Sequence, residues 1–349
     1  MGFTPRFGFN TLILSTVISI SLFTAGCGGT KSPLASNTTT QPAASPTPVP
    51  SPSPAAAPSP SPTPSPSPSP APPPAPSPSP SPTPTPAPGT QRGQVVLVVE
   101  ENHSYSSVIG SSAMPYLNSL ATQYGLATQY YADTHPSIGN YFMMTAGAII
   151  TNNDSFTGTV SANNIVRQLL AAGKTWKAYE ESLPSPGYIG PDTSLYARKH
   201  DPLSFFSDVV NSSVQKLNLV PFTQFATDLN ASQLPDFSFV TPNLQNDAHD
   251  GTLGQADAWL QTNIAPLLAN AQFQKNGLLI IVFDEADTSD STHGGGRVAM
   301  VAIGPLVKHG QSATLYQHEN LLKTIATYLG IDPNIGAAGS ASAMSDLIP

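Results

Sequence analysis

Two runs in this chain, Val95-Val96-Leu97-Val98-Val99 and Leu278-Leu279-Ile280-Ile281-Val282-Phe283, contain no polar residue. A strand with one wet face alternates apolar and polar residues, whereas a strand covered on both faces does not. Two such strands require a sheet with helices packed on each side. The stretches between them supply helices. Apolar residues recur at helical spacing in Pro115 to Tyr124 (stopped by Gly125), Ile138 to Thr145, Asn163 to Ala172 (stopped by Gly173), Leu253 to Leu268, and Asn320 to Leu329 (stopped by Gly330). Ala127 to Tyr131, Phe237 to Val240 and Val298 to Ile303 read as further strands. The alternation predicts an α/β fold with a mostly parallel central sheet and helices on both faces.

None of this begins before about residue 93. Arg6 followed by the apolar run Thr11 to Phe23 and the small residues Thr24-Ala25-Gly26-Cys27 reads as an export signal too short to span a bilayer. Cys27 is the single cysteine, so no intramolecular disulfide forms, and the segment resembles a bacterial lipoprotein signal in which that cysteine is lipidated. From Thr38 to Pro88 the chain is almost wholly Pro, Ser, Thr and Ala in alternation. Such a tract has nothing to bury and populates extended polyproline II, with a reach on the order of 130 Å. The expected organisation is a signal segment at 1–27, a disordered Pro/Ser/Thr-rich linker at 28–92, and one globular domain at 93–349. The expected localisation is outside the cytoplasm, on a membrane through the lipid anchor and facing the periplasm or the cell exterior. A net charge of -8 with 13 Lys and Arg argues against nucleic acid as a partner.

Each strand is followed by chemistry. After Val99 come Glu100, Glu101, Asn102 and His103. After Tyr131 come Asp133, His135 and Ser137. After Val240 come Asn243, Asp247, His249 and Asp250, and after Phe283 come Asp284 and Glu285, with His293 further on. In parallel α/β sheets ligands bind beyond the carboxyl ends of the strands. Four strand ends would thus bring acids, imidazoles and a hydroxyl to one edge, which is the composition of a metal-dependent hydrolytic site. His200 and His309 lie in no motif, and His318, opening the last helix, reads as structural.

The segments Glu101-Asn102-His103-Ser104-Tyr105, Thr134-His135-Pro136-Ser137-Ile138-Gly139-Asn140-Tyr141, Thr241 to Asp250 and Phe283-Asp284-Glu285 together resemble the phosphoesterase family of bacterial acid phosphatases and phospholipases C, within the alkaline phosphatase superfamily. The resemblance runs from about Gln94 to Leu329. It implies an alkaline-phosphatase-like fold and a phosphoesterase catalytic domain at 93–349. It further implies a divalent metal ion ligated by Glu101, Asn102, Asp284 and Glu285, with Asp247 and Asp250 as outer or second-metal candidates. Oxygen donors favour Ca²⁺, Mg²⁺ or Mn²⁺, and the histidines leave zinc open. Ser137, three residues before Asn140, takes the nucleophile's place. Relatives typically carry proline where Gly139 stands.

The physical logic agrees with that transfer. A serine hydroxyl is a weak nucleophile until a base or a metal activates it. A helix N-terminus aims backbone N–H groups at phosphate oxygens. Asn140 would add a donor to the developing charge, and His249 or His293 would protonate the leaving oxygen. The expected function is hydrolysis of phosphate monoesters, phosphoinositide phosphates among the candidates, through a phosphoserine. The alternatives are a phospholipase C-type phosphodiesterase and a non-catalytic protein displayed on the Pro-rich stalk. The sequence leaves substrate, metal and oligomeric state open.

Overall fold

The computed structural model describes residues 93–349. The signal segment, Cys27 and the linker lie outside these residues. No helix among the described residues is long and apolar enough to cross a membrane.

Eight strands form one sheet: β1 (Val95–Glu100), β2 (Gly125–Ala127), β3 (Trp176–Glu180), β4 (Leu219–Pro221), β5 (Phe237–Thr241), β6 (Leu278–Phe283), β7 (Met300–Ile303) and β8 (Gly310–Ser312), in the order β4-β3-β5-β1-β6-β7-β2-β8. Only the two pairings of β7 are antiparallel; every other neighbour is parallel. The fully apolar runs occupy the centre, with β1 paired to β6 from Val95↔Leu278 to Glu100↔Phe283. Every residue of β1, β5 and β6 is buried, as strands covered on both faces must be. Because β1, β2, β5 and β6 run the same way, their carboxyl ends open on one edge. The chain direction there is fixed by backbone bonds across strands: Asp284 N–H to Glu100 O at 2.9 Å, and Glu101 N–H to Asp247 O at 2.8 Å.

The structure departs from the sequence reading in four places. Strand β3 was not foreseen, because Lys177 and Glu180 interrupt its apolar pattern; half-buried Lys177 and buried Tyr179 both bind Asp228, at 2.5 and 2.7 Å, which makes their place in the sheet tolerable. The edge strands β4 and β8, three residues each, carry too little pattern to read. Gly125 opens β2 rather than only stopping a helix, and the strand expected at Ala127 to Tyr131 is largely loop, held by isolated bridges at Tyr130 and Tyr131. The helix expected from Leu253 to Leu268 is Leu253–Asn263 followed by a separate turn Ala265–Leu268. Pro266 has no N–H for a continuous helix, and its ring disfavours helical backbone before it.

Candidate active site

The site is built at the open edge. Strand β1 ends in Glu100 and continues into Glu101, whose side chain is fully buried. Asn102 follows in the left-handed region at φ 58°, a conformation asparagine tolerates better than most residues. Its N–H donates to Asp284 Oδ1 at 3.1 Å, so the turn after β1 is clamped to the turn after β6. The helix Ser137–Ala146 starts beside them. Its N-cap is Pro136, which has no side-chain cap to offer. The Ser137 hydroxyl is spent elsewhere: it lies 3.1 Å from Glu101 Oε2 and 2.9 Å from Glu285 Oε1.

That arrangement is informative because a hydroxyl has one proton. Ser137 cannot donate to both carboxylates, yet both approach it. Around it the acids crowd one another. Burial, then the charges of Asp284 and Asp247, hold the Glu101 carboxyl well above the usual range. Burial and then Glu285 do the same to Asp284, and burial pushes Asp247 up to about 7. Glu285 is raised by burial, against hydrogen bonds from Ser137 and His135 Nδ1, the latter at 2.5 Å. Lys199 offsets part of the charge on Glu101.

A second group of side chains meets Glu101 from the other side. His200, in the turn Arg198–His200, places Nε2 at 3.2 Å from Glu101 Oε1 and Nδ1 at 3.6 Å from Asp247 Oδ2. Its ring stacks on Tyr141 at 5.1 Å, and the Tyr141 hydroxyl donates to Glu101 Oε1 at 2.5 Å. Burial, with Lys199 and His249 adding to it, keeps His200 neutral well below the ordinary imidazole range. His249 stands 5.5 Å from His200, ring to ring, with Nδ1 on Asp250 Oδ1 at 2.8 Å and its N–H on Asp247 Oδ1 at 2.8 Å.

These residues fit a divalent cation. Asp284 Oδ2, Asp247 Oδ2 and His200 Nε2 are buried and have no hydrogen-bond partner among the described residues, and buried polar atoms are rarely left so. Candidate ligand atoms of Glu101, His200 and His249 lie within 4.8 Å of one another. Glu101 therefore joins an all-oxygen side, with Asp284 and Glu285, to an imidazole-bearing side. The first suits a hard cation and the second zinc.

The edge thus gathers Glu101, Asn102, Ser137, Asp284 and Glu285 into one cluster, with Asp247, His249 and Asp250 beside it. Asn140 and His293 take other positions. The Asn140 side chain accepts the N–H groups of Asp133 and Thr134 at 2.9 and 3.2 Å and donates to Thr134 O at 2.8 Å, so it braces the loop that presents Ser137. His293 lies against Tyr131 at 4.4 Å, and its carbonyl accepts from Gln317. At Gly139 a Cβ would meet Asn152 Oδ1 at 2.3 Å and Thr134 Cγ2 at 2.5 Å, so the loop at Thr134 packs closely against the helix there. His318 is structural: buried, it bridges the Tyr130 hydroxyl at 2.9 Å and Asp284 O at 2.7 Å. His200, Tyr141 and Lys199 were missed. Tyr141 was within a quoted motif, but nothing local distinguishes Lys199 and His200, which reach the site only through the fold.

Behind the loop that presents Ser137, Asp133 accepts from His318 N–H and Gln317 Nε2, each at 3.3 Å. Burial, then the charge and hydrogen bonding of Glu319, push it up to about 8. In the unfolded chain an aspartate titrates near 3.9. Between those values the native state keeps a proton that the unfolded state releases, so stability falls as pH rises through that window. Asp133→Asn is expected to stabilise the protein at about pH 8 by on the order of 2 kcal/mol and to change little near pH 4. Urea unfolding of both proteins in chelator would check this, and parallel stability–pH curves would contradict it.

A model of the Phosphoesterase family matches residues 111–332. A phosphatidylinositol-3-phosphatase of Mycobacterium tuberculosis is 36% identical over 255 residues, 72% of this chain and 82% of that one. An acid phosphatase of Aspergillus fumigatus is 32% identical over 249 residues, 68% of this chain but 54% of that one, so the chain spans about half the length of that fungal relative. Among solved structures, an alkaline phosphatase superfamily protein of Vibrio parahaemolyticus superposes with a TM-score of 0.51 at 13% identity, covering 72% of this chain and 70% of its own. A phosphonate monoester hydrolase of Agrobacterium radiobacter does so with 0.51 at 12%, covering 74% and 77%. At such identity these two speak for the fold alone, an alkaline-phosphatase-like sheet. The family match and the relatives carry the rest: the chain belongs to the Phosphoesterase family, and it is a hydrolase of phosphoric ester bonds.

Proposed function

We propose that the chain is a metal-dependent phosphomonoesterase whose nucleophile is Ser137. The observation that carries this reading is the Ser137 hydroxyl set between the Glu101 and Glu285 carboxylates at the start of a helix. Glu101, Asp284 and Glu285, with Asn102, would hold the cation, and the imidazole of His200 offers nitrogen ligation on the far side of Glu101. When bound, a divalent cation supplies positive charge and Lewis acidity to an otherwise anionic pocket.

Ser137 Oγ attacks phosphorus, and the bond from phosphorus to the alcohol oxygen breaks. Backbone N–H groups at the helix start face the phosphoryl oxygens. The departing alcohol oxygen takes a proton from His249, which Asp250 orients through Nδ1. Water then hydrolyses the phosphoserine, with the same imidazole accepting its proton. Asn140 keeps the loop rigid, so that Ser137 does not drift from the attack geometry. Phosphoinositide phosphates are candidate substrates because the mycobacterial relative is named for one. On this reading the domain is exported and tethered by a lipid on Cys27, with the Pro-rich linker as its spacer.

The test is an assay on a phosphomonoester and a phosphodiester, with chelator and with Ca²⁺, Mg²⁺, Mn²⁺ or Zn²⁺ restored one at a time. Monoester turnover should vanish in chelator and return with one or more of the ions. Undiminished turnover in chelator would overturn metal dependence, and faster diester cleavage would transfer the chain to the phospholipase C-type reading.

A further inference from the structure

One of the N–H groups at the start of the helix Ser137–Ala146 is already taken. Ile138 is the second residue of that helix, and Pro136 at the cap position offers it no side chain. The Ile138 N–H instead donates to Asp154 Oδ1, sixteen residues on, at 3.5 Å. The other oxygen of that carboxylate, Oδ2, accepts from Lys199 Nζ at 2.7 Å. A helix N–H and an ammonium, each on one oxygen of the same anion, form the set of donors that a phosphate takes at a helix start.

Both donors are tied to the site. Ile138 follows Ser137 directly. Lys199 lies between Arg198, whose guanidinium rests on Phe205 and donates to Ser204, and His200, whose ring faces Glu101 and Asp247. Burial pulls the Lys199 ammonium down, but Asp154, Glu101 and Asp284 outweigh it and keep it charged. The charge of Asp154 in turn acts on Glu285 and His200. The pair therefore stands among the acids that surround Ser137.

Asp154 is held there without being locked. Asn152, two residues before it, donates to Thr134 Oγ1 at 2.8 Å, which anchors the segment on the loop that presents Ser137. Asn153 then shapes a turn by accepting the N–H groups of Ser155 and Phe156, at 3.1 and 2.8 Å. The backbone is thus fixed on both sides of Asp154. Its side chain is 32% exposed, the contact to Ile138 is long for a hydrogen bond, and an ion pair open to water is weak. The carboxylate can leave while the segment stays in place.

Resting on the phosphomonoesterase reading above, we propose that the Asp154 carboxylate is a placeholder for the substrate's phosphate: it occupies the Ile138 N–H and the Lys199 ammonium in the free protein, and the arriving phosphate displaces it and takes both donors. Lys199 is then a phosphate-binding residue that holds non-bridging oxygens, and the ester oxygen is left to His249.

The test is the affinity for orthophosphate, measured by calorimetry on the full chain supplied with divalent metal, beside monoester turnover. Asp154→Asn keeps an oxygen for the Ile138 N–H and breaks the ion pair. It should tighten orthophosphate binding by about three- to fivefold, the worth of a partly exposed pair, and lower KM for a phosphomonoester by a like factor. Lys199→Met should weaken orthophosphate binding by about tenfold or more, as the loss of a charge-assisted hydrogen bond does. Lys199→Gln takes its place if the methionine variant does not fold. In the double variant the gain from Asp154→Asn should disappear, because that gain comes from freeing Lys199. A gain of equal size with and without Lys199 would mean that Asp154 only repels anions, and would overturn the placeholder. An Asp154→Asn variant that melts earlier and binds orthophosphate as the parent does would overturn it too, leaving Asp154 a helix cap. Binding is read apart from turnover: a wild type that binds orthophosphate through Lys199 and cleaves only the diester would support the placeholder and overturn the phosphomonoesterase reading.

Discussion

Ser137→Ala is expected to lower phosphomonoester turnover by about a thousandfold or more, with fold and metal affinity retained. A serine that opens a helix is most simply a cap, and losing a cap costs about 1 kcal/mol while leaving activity in place. The geometry separates these roles. Pro136 holds the cap position, and the Ser137 hydroxyl is turned to Glu101 and Glu285. Removing it takes away no helix cap, but it does take a hydrogen-bond donor from between two buried acids. The melting temperature of the variant should therefore fall by about 2–4 °C at most. Trapping wild-type protein during turnover should yield a phosphate on Ser137 by mass spectrometry. A variant that melts early yet turns over near the wild-type rate would sink the nucleophile role.

The fold and the carboxylates were legible for one reason: each is a local signal with a physical meaning. Uniform apolar runs mean strands buried on both faces, and an acid directly after such a run stands at the sheet's carboxyl edge. Glu101, Asp284 and Glu285 are of that kind, whereas Ser137 follows a loop and was read from its motif. Asn140 shows the limit of spacing as evidence. Its distance from Ser137 places it on the same helix, but three hydrogen bonds to the loop at Asp133 and Thr134 absorb its amide. His200 shows the opposite limit. It follows no strand and sits in a short turn of a long connection, yet the chain returns it to the centre of the site between Glu101 and Asp247. Its burial comes from Tyr141, a partner distant in sequence, and distant pairings of that kind have no periodicity to read. Strand β3 was hidden for a related reason, since Lys177 and Tyr179 look like surface residues until Asp228 is placed beside them.

Glu101 gives the sharpest test of how the pocket is balanced. Its carboxylate accepts from Ser137 and Tyr141, faces His200, and is fully buried among acids. An acid so placed is costly in the metal-free protein: either it stays charged without a counterion, or it takes up a proton that the unfolded chain would not hold at neutral pH. Glu101→Gln keeps the shape and removes that cost. In chelator the variant is expected to be more stable than the parent at neutral pH, by on the order of 1–2 kcal/mol. With metal present the order reverses in function: affinity for the cation should fall about a hundredfold or more, and turnover should fall with it. If Glu101 were only an anchor for Tyr141, the same substitution would lose a charge-assisted hydrogen bond and lower stability by about 1–3 kcal/mol, with metal affinity kept. The two accounts predict opposite signs in one measurement. Urea unfolding in chelator, paired with calorimetric metal titration of the same samples, decides between them: a destabilised variant that still binds metal as the parent does would remove Glu101 from the ligand set.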